Sequence, residues 1–242
     1  MCGRLSLFAD PALVAERFDA EPTRPLDPRY NVAPSQRHPV VRNDDPDAVR
    51  FPTWGLVPKW ADGSGSGHVN ARAETLADKP SFREAYAQRR CLVLADGFYD
   101  WTDTPTGKQP YRFEREDRDP FALAGLWEPP GDDCPATFTV VTTEANAVVE
   151  PVHHRMPVVL SSERARRRWL RGDSDRAVRG GAEEASDDAA ASSLADLLDP
   201  RPTPELHAYP VSSALNDPAN DSAALVEAVP AEEDVQTGLD EF

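Results

Sequence analysis

Lysine is almost missing from this chain. Its 242 residues hold three, Lys59, Lys79 and Lys108, so nearly all the positive charge is arginine. Long apolar runs are missing too. No stretch of about 18 apolar residues occurs, which excludes a helix spanning a membrane. The opening MCGRLSLFADPALVAERF has no basic segment followed by an apolar one, so no secretory signal is expected. Cysteine is scarce, with only Cys2, Cys91 and Cys134. An odd number without CxxC spacing or a Cys/His cluster argues against a disulfide framework and against a zinc site. No metal and no cofactor are expected, and a reducing cytoplasm fits this cysteine usage best.

What is present in excess is acid. Asp and Glu number 42 against 26 Lys and Arg, which gives a net charge of −16. A nucleic-acid partner normally wants a basic face. However, few lysines with many carboxylates resembles the composition of salt-adapted, haloarchaeal proteins. In concentrated salt the screening length falls to about 3 Å, so distant repulsion fades. Arginine still makes close bidentate phosphate contacts there. The acidity is therefore weak evidence against DNA. The plain alternative is an acidic protein with no nucleic-acid role.

The length suits one large domain or one domain with a tail. Residues 9–18 predict a short helix with Pro11 in its first turn, and 19–38 read as loop. Strands are expected at 38–42 and 49–56, separated by the turn cluster NDDPD. A flexible loop is expected at 61–67, and a helix over 75–90. The run CLVLADGFYDW at 91–101 reads as a buried strand. Further strands are expected at 111–116, 121–128, 137–145 and 157–160, followed by a helix over SERARRRWLRG. Residues 172–193 are acidic and of low complexity and read as a mobile insertion. Order returns at 205–216, and 230–242 form an acidic tail. Many short strands and few helices predict an α+β domain over 1–229 with a largely antiparallel, barrel-like core and flanking helices. A monomer is expected.

Chemistry concentrates at Cys2. Removal of Met1 would leave an α-amine and a β-thiol on one residue. Their ordinary pKa values, about 8 and 8.5, leave a useful fraction of both nucleophiles at neutral pH. The amine condenses with an aldehyde, and the thiol then closes a five-membered thiazolidine. Taken alone, Cys2 would still read as a chance residue in a frayed terminus.

Five motifs occur in order: MCGR at the start, YNVAPSQ at 30–36, HVNARAET at 68–75, ADGFYDW at 95–101 and HHRMPVVL at 153–160. In this set and order the chain resembles the SOS-response-associated peptidase family, also called the abasic-site-processing family. The resemblance reaches from Cys2 to about Val229, omitting 172–193. It implies a DNA-damage enzyme that forms a thiazolidine cross-link to abasic sites in single-stranded DNA and so shields the lesion. It also implies an activity toward its own amino terminus.

Carried over by position, the resemblance makes Cys2 the nucleophile. Asn70 positions the terminal amine, and His153 moves protons at the sugar or the imine. His154 follows where the family usually has Asp. Asp100 stands where the family usually has Glu, and it keeps the carboxyl while shortening its reach by one methylene, roughly 1.5 Å. It is expected to be the acid/base group. Arg4 and Arg72 match phosphate-holding arginines. Asn31, Pro34 and Trp60 match loop positions along the DNA path, where a base can stack on an aromatic ring. Thr142 matches a threonine near the lesion, and a threonine on a strand face is the equal alternative. Glu74 is read as structural, pairing an arginine, and Cys91 as core.

Two other readings stay open. One is a cysteine peptidase using Cys2 and His153, cutting itself or other proteins. The other is a non-enzymatic module that docks on the sliding clamp. The last seven residues, QTGLDEF, place Gln236, Leu239 and Phe242 at i, i+3 and i+6. This resembles a clamp-binding box without its second aromatic. One helical turn would set Leu239 and Phe242 on one side for an apolar pocket.

Overall fold

The computed structural model describes residues 2–61, 67–105, 107–131, 134–172, 194–199 and 205–231. The expected insertion beyond Gly172 and the clamp box, with Gln236, Leu239 and Phe242, lie outside the described residues.

Strands β1 (Arg4–Leu7), β2 (Glu21–Pro22) and β3 (Arg29–Val32) come first, with helix α1 (Pro11–Phe18) between β1 and β2. Next are β4 (Val40–Arg42), β5 (Asp45–Arg50), β6 (Thr53–Trp54) and β7 (Asn70–Arg72), then α2 (Arg83–Gln88). The central strands are β8 (Arg90–Ala95), β9 (Gly97–Thr104), β10 (Gly107–Arg115), β11 (Phe121–Glu128) and β12 (Thr137–Glu144). The described chain ends with β13 (Arg155–Pro157), β14 (Val159–Leu160), α3 (Glu163–Arg171) and β15 (Leu206–Pro210), followed by short 3₁₀ turns.

The strands form two sheets. The first is a wholly antiparallel five-stranded sheet, in the order β15-β10-β9-β1-β3. The second has ten strands along β13-β12-β11-β8-β4-β5-β2, with β14 on β11 and with β6 and β7 on β12. Its only parallel pairings are β12 with β6, β12 with β7, and β2 with β5. The fold is α+β, as expected. The barrel-like core is corrected to two open sheets, because neither strand order returns to its starting edge.

The continuous apolar run of β8 follows from its position. Cys91, Val93 and Ala95 face the layer between the sheets and pack with Leu5, Val32, Phe98 and Phe113. Leu92 and Leu94 face the other way and pack with Val14, Ala85 and Trp169 from the three helices. A strand covered on both faces has no polar side to show. Helix α1 starts at Asp10, whose carboxylate accepts the Ala12 N–H at 2.7 Å, and Ser162 likewise caps α3 through the Ala165 N–H at 3.1 Å. Buried Arg90 serves both other helix ends, donating to Tyr86 and Ala87 carbonyls at 2.6 and 2.8 Å and to Trp169 O at 2.7 Å.

Three expectations shift. The helix expected over 75–90 narrows to α2, because Pro80 has no N–H and disfavours helix before it. Strand β3 lies within the expected loop 19–38, where tertiary pairing with β1 orders it. The single strand expected at 91–101 is two strands in different sheets, β8 and β9, separated only by Asp96. No helix among the described residues is long and apolar enough to cross a membrane.

Asp96 is the corner between the sheets. Its carboxylate accepts from Ser6 Oγ at 2.6 Å and from the backbone of Phe8 and Ala9. Arg112, fully buried, donates to it at 3.3 Å, to Glu114 at 2.8 Å, to Ser6 Oγ at 2.7 Å and to Tyr99 Oη at 2.9 Å. Burial opposes the Arg112 charge, but Tyr99, Asp96 and Glu114 outweigh it and raise the guanidinium above its ordinary value. Gly97 is required here, since a Cβ would lie 2.4 Å from the guanidinium carbon. Arg112→Met would strand two buried carboxylates. It should cost about 3–5 kcal/mol in urea unfolding, the range for breaking a buried pair on one side. Asp103→Ala, which removes the exposed partner of Lys108, should leave the midpoint unchanged. Equal midpoints for wild type and Arg112→Met would refute the corner's role.

Candidate active site

The site lies between the sheets. Cys2, two residues before β1, is fully buried in the same apolar layer as Leu5 and Phe98. Along β9 side chains alternate, so Asp100 shares the inward face of Phe98, while Tyr99 packs outward against Val211, Leu215 and Leu225. Asp100 is 3% exposed and accepts the Trp101 N–H at 3.0 Å. From the second sheet, β7 brings Asn70, whose Nδ2 donates to the Cys2 carbonyl at 2.9 Å. Asn70 Oδ1 is buried with no hydrogen-bond partner.

His153 enters from the turn between β12 and β13. Asn146 shapes that turn, its Oδ1 accepting the Val148 and Val149 N–H groups at 3.1 and 3.2 Å. His153 Nδ1 stands 3.9 Å from Asp100 Oδ2, an electrostatic contact too long for a hydrogen bond. Nδ1 also accepts the Arg155 N–H at 2.9 Å, which places the proton of the neutral ring on Nε2. Burial lowers the His153 pKa below its ordinary value, Asp100 partly offsets this, and His154, its ring stacked at 4.3 Å, pushes it down further.

Burial also acts on the Cys2 thiol. Burial, reinforced by the nearby Asp100 carboxylate, raises the Cys2 thiol far above its usual range. With Met1 still in place, the packing of Cys2 therefore favours the thiol over the thiolate. Cys91 is core, as expected, buried in the layer between the sheets. Glu74 does pair an arginine: Arg155 holds it bidentately at 2.6 and 3.0 Å. That pair lowers the Glu74 carboxyl below its ordinary value. Arg155 also donates to the Thr142 carbonyl at 2.7 Å. It therefore ties the strand after His153 to the segment after Asn70. The sequence analysis did not single out Arg155; the unmatched Glu74 in ARAET was the signal for it.

The remaining expected residues separate by position. Thr142 is buried on the face of β12 that carries Val140, paired in register with Pro157 and Arg72. Arg4 donates to the Gly3 carbonyl at 2.9 Å and stands 5.8 Å from the Trp101 ring centre. Trp101 in turn donates to Asn216 Oδ1 at 2.6 Å. Arg72 is exposed and lines a cleft of about 450 Å³ with Glu144, Glu150, His154 and Arg155. Pro34 sits half-buried in the turn after β3, beside Ser35 at φ 69°. Trp60 is 69% exposed, a large apolar surface left in solvent. Asn31 is fully buried, its amide shared among the carbonyls of Leu215, Asp217 and Asn220 at 2.8–3.1 Å. It anchors the C-terminal segment and presents no side chain to solvent.

Comparison with known proteins gives the family. Residues 1–218 match the model of the family described as SOS response associated peptidase (SRAP). The chain is 37% identical over 240 residues to the abasic site processing protein YoqW of Bacillus subtilis (strain 168), spanning 94% of this chain and 99% of that one. It is 35% identical over 239 residues to the abasic site processing protein YoaM of the same organism, spanning 94% and 98%. A solved structure of a protein from Bacteroides thetaiotaomicron matches with a TM-score of 0.75 at 26% identity, over 95% of this chain and all of that one. The chain belongs to the SOS response associated peptidase family.

Proposed function

We propose that this chain is an enzyme of the DNA-damage response that captures abasic sites in single-stranded DNA by a thiazolidine link to Cys2. The names of its relatives support abasic-site processing. The observation that carries the chemistry is Asn70. It grips the Cys2 carbonyl while its own buried Oδ1 has no partner. Once Met1 is removed, that oxygen is an acceptor for an N–H of the Cys2 amine. It would hold the nitrogen lone pair toward the incoming aldehyde.

The steps balance with this chain's own groups. The closed sugar opens as a proton leaves the C1′ hydroxyl and another reaches the ring oxygen, with Asp100 and His153 as acceptor and donor. The Cys2 amine adds to the aldehyde carbon, and loss of water gives the imine. Sγ then adds to the imine carbon and its proton passes to the nitrogen. Because the thiol rests protonated, Asp100 has the task of taking that proton and returning it. Arg4 and Arg72 would hold phosphates beside the lesion, and Trp60 would stack on a base. Thr142 would line the pocket floor, Pro34 would shape the wall, and Asn31 would brace it from behind. A buried, protonated thiol weighs against a peptidase acting on other proteins. Its burial leaves no accessible surface for a foreign peptide, whereas the chain's own Met1 is already bonded to Cys2.

A denaturing gel with single-stranded DNA bearing one abasic site tests this. Protein lacking Met1 should give a shifted band that survives denaturation. Cys2→Ala should give at most an imine that borohydride must trap. Asp100→Asn should slow the adduct by about a hundredfold, the scale for a misplaced or missing catalytic group, with DNA affinity nearly unchanged. A stable adduct at unchanged yield in Cys2→Ala would sink the mechanism.

The charge of −16 leads to a second expectation. Binding to abasic DNA should be weak in dilute salt and retained at molar salt, whereas phosphate-driven binding falls steeply with salt. Anisotropy titrations that show a steady fall from dilute to molar salt would contradict it. The tail extends the proposal: Gln236, Leu239 and Phe242 would dock the enzyme on the sliding clamp. A peptide of residues 230–242 should bind the clamp near micromolar, about −8 kcal/mol, and lose binding when Leu239 and Phe242 become Ala. No heat in calorimetry at working salt rules the docking out.

A further inference from the structure

A pocket partly open to solvent lies at the other end of β1. It is a cavity of about 220 Å³ reached by Leu7, on the order of 16 Å along the strand from Cys2 at about 3.3 Å per residue. Its apolar walls include Leu26 and Phe51. Three arginines line it: Arg24, Arg29 and Arg37. Arg29 is held by Asp221 and by Gln36 at 2.8 Å. Arg24 lies 3.9 Å from the centre of the Phe51 ring, and among the described residues neither Arg24 nor Arg37 has a carboxylate within ion-pair distance. Asp27 is the one acidic residue in the lining. In a chain of net charge −16, two arginines without acidic partners beside one cavity are a local reversal of sign.

The cavity also has a buried acceptor. His38 lines it and is fully buried. Its Nε2 is 2.6 Å from the Leu94 carbonyl, which can only accept, so Nε2 carries the proton and Nδ1 is a bare lone pair. Nδ1 is buried with no partner. Burial holds the ring at a pKa of about 4, so it stays neutral at working pH. A buried polar atom without a partner is costly unless something completes it.

We propose that this cavity binds a single nucleotide unit. The phosphate would sit at Arg24 and Arg37, the ring would lie on the apolar wall beside Phe51, and an N–H or O–H would donate to His38 Nδ1. A volume of about 220 Å³ falls below the usual range for drug-sized ligands, about 300–1,000 Å³, so no more than one nucleotide can enter. Guanidinium groups meet phosphate bidentately, and the planar Arg24 already stacked on Phe51 offers a second flat face to a base. The nucleotide has two possible sources: a free monophosphate, or one unit of a bound DNA strand. The inference does not depend on chemistry at Cys2.

Calorimetry on the full chain tests it, with deoxycytidine monophosphate as the probe. Wild type should bind it saturably. Arg24→Ala/Arg37→Ala, both exposed positions, should bind at least tenfold more weakly while melting at the same temperature. Deoxycytidine without phosphate, and inorganic phosphate without the nucleoside, should each bind at least tenfold more weakly than the monophosphate. Competition between the monophosphate and a long abasic oligonucleotide identifies the strand as the source, and simultaneous binding identifies the free nucleotide; either outcome supports the site. Adduct yield with a short abasic oligonucleotide should be the same in wild type and the double variant. That separates a failure here from a failure at Cys2. Equal affinity of wild type and double variant for the monophosphate, or phosphate alone binding as tightly, overturns the proposal.

Discussion

The fold depends on one buried guanidinium. Arg112 has no solvent contact, and its donors reach Asp96, Glu114, Ser6 and Tyr99. Ser6 lies on β1, Tyr99 on β9 and Glu114 on β10, and Asp96 is itself the link between β8 and β9. Asp96 also accepts the Phe8 and Ala9 N–H groups, so the exit of β1 and the turn from β8 into β9 close on one charge cluster. Removing charges from water is expensive, and it is tolerated where geometry satisfies nearly every donor. The corner sets the spacing of the sheets, and the spacing sets the gap in which Cys2 and Asp100 sit.

The site borrows this rigidity. Cys2, at the entrance to β1, and Asp100, on β9, belong to adjacent strands of one sheet, with Arg4 in register with Tyr99. Asn70 and His153 belong to the other sheet, locked together through Arg155, Glu74 and the Thr142 carbonyl. One sheet brings Cys2 and Asp100 to this gap, and the other brings Asn70 and, from the turn between β12 and β13, His153. The same burial that organises the groups raises the thiol and lowers the imidazole from their ordinary values.

Charge is distributed unevenly over this frame. Most arginines with carboxylate partners form surface or half-buried pairs, such as Arg17 with Asp119 at 2.7 Å and Arg167 with Glu163 at 2.6 Å. Each such pair contributes little in isolation. Among the described residues, Arg24 and Arg37 at their cavity and Arg72 at its cleft have no carboxylate within ion-pair distance. Trp60 is the apolar counterpart, a large ring left exposed beside polar surface.

The α+β class, most strands and the identity of Cys2 were legible in the sequence because they rest on local signals. These are apolar runs buried on two faces, caps such as Asp10 and Ser162, and motifs that keep their order. The residues gathered around Cys2 were legible only through the motifs, since 98 residues of chain separate it from Asp100 and nothing in the spacing says that they meet. Other features were decided by tertiary structure alone. Strand β3 forms because β1 offers it an edge. The run at 91–101 divides at Asp96 because Arg112 waits at the corner. Asn31, a DNA-path residue by its motif, is drawn inward by three carbonyls of a segment more than 180 residues away in sequence. The state of the Cys2 thiol was decided there too. A side chain's protonation depends on the dielectric and the charges around it, and those exist only once distant strands have packed.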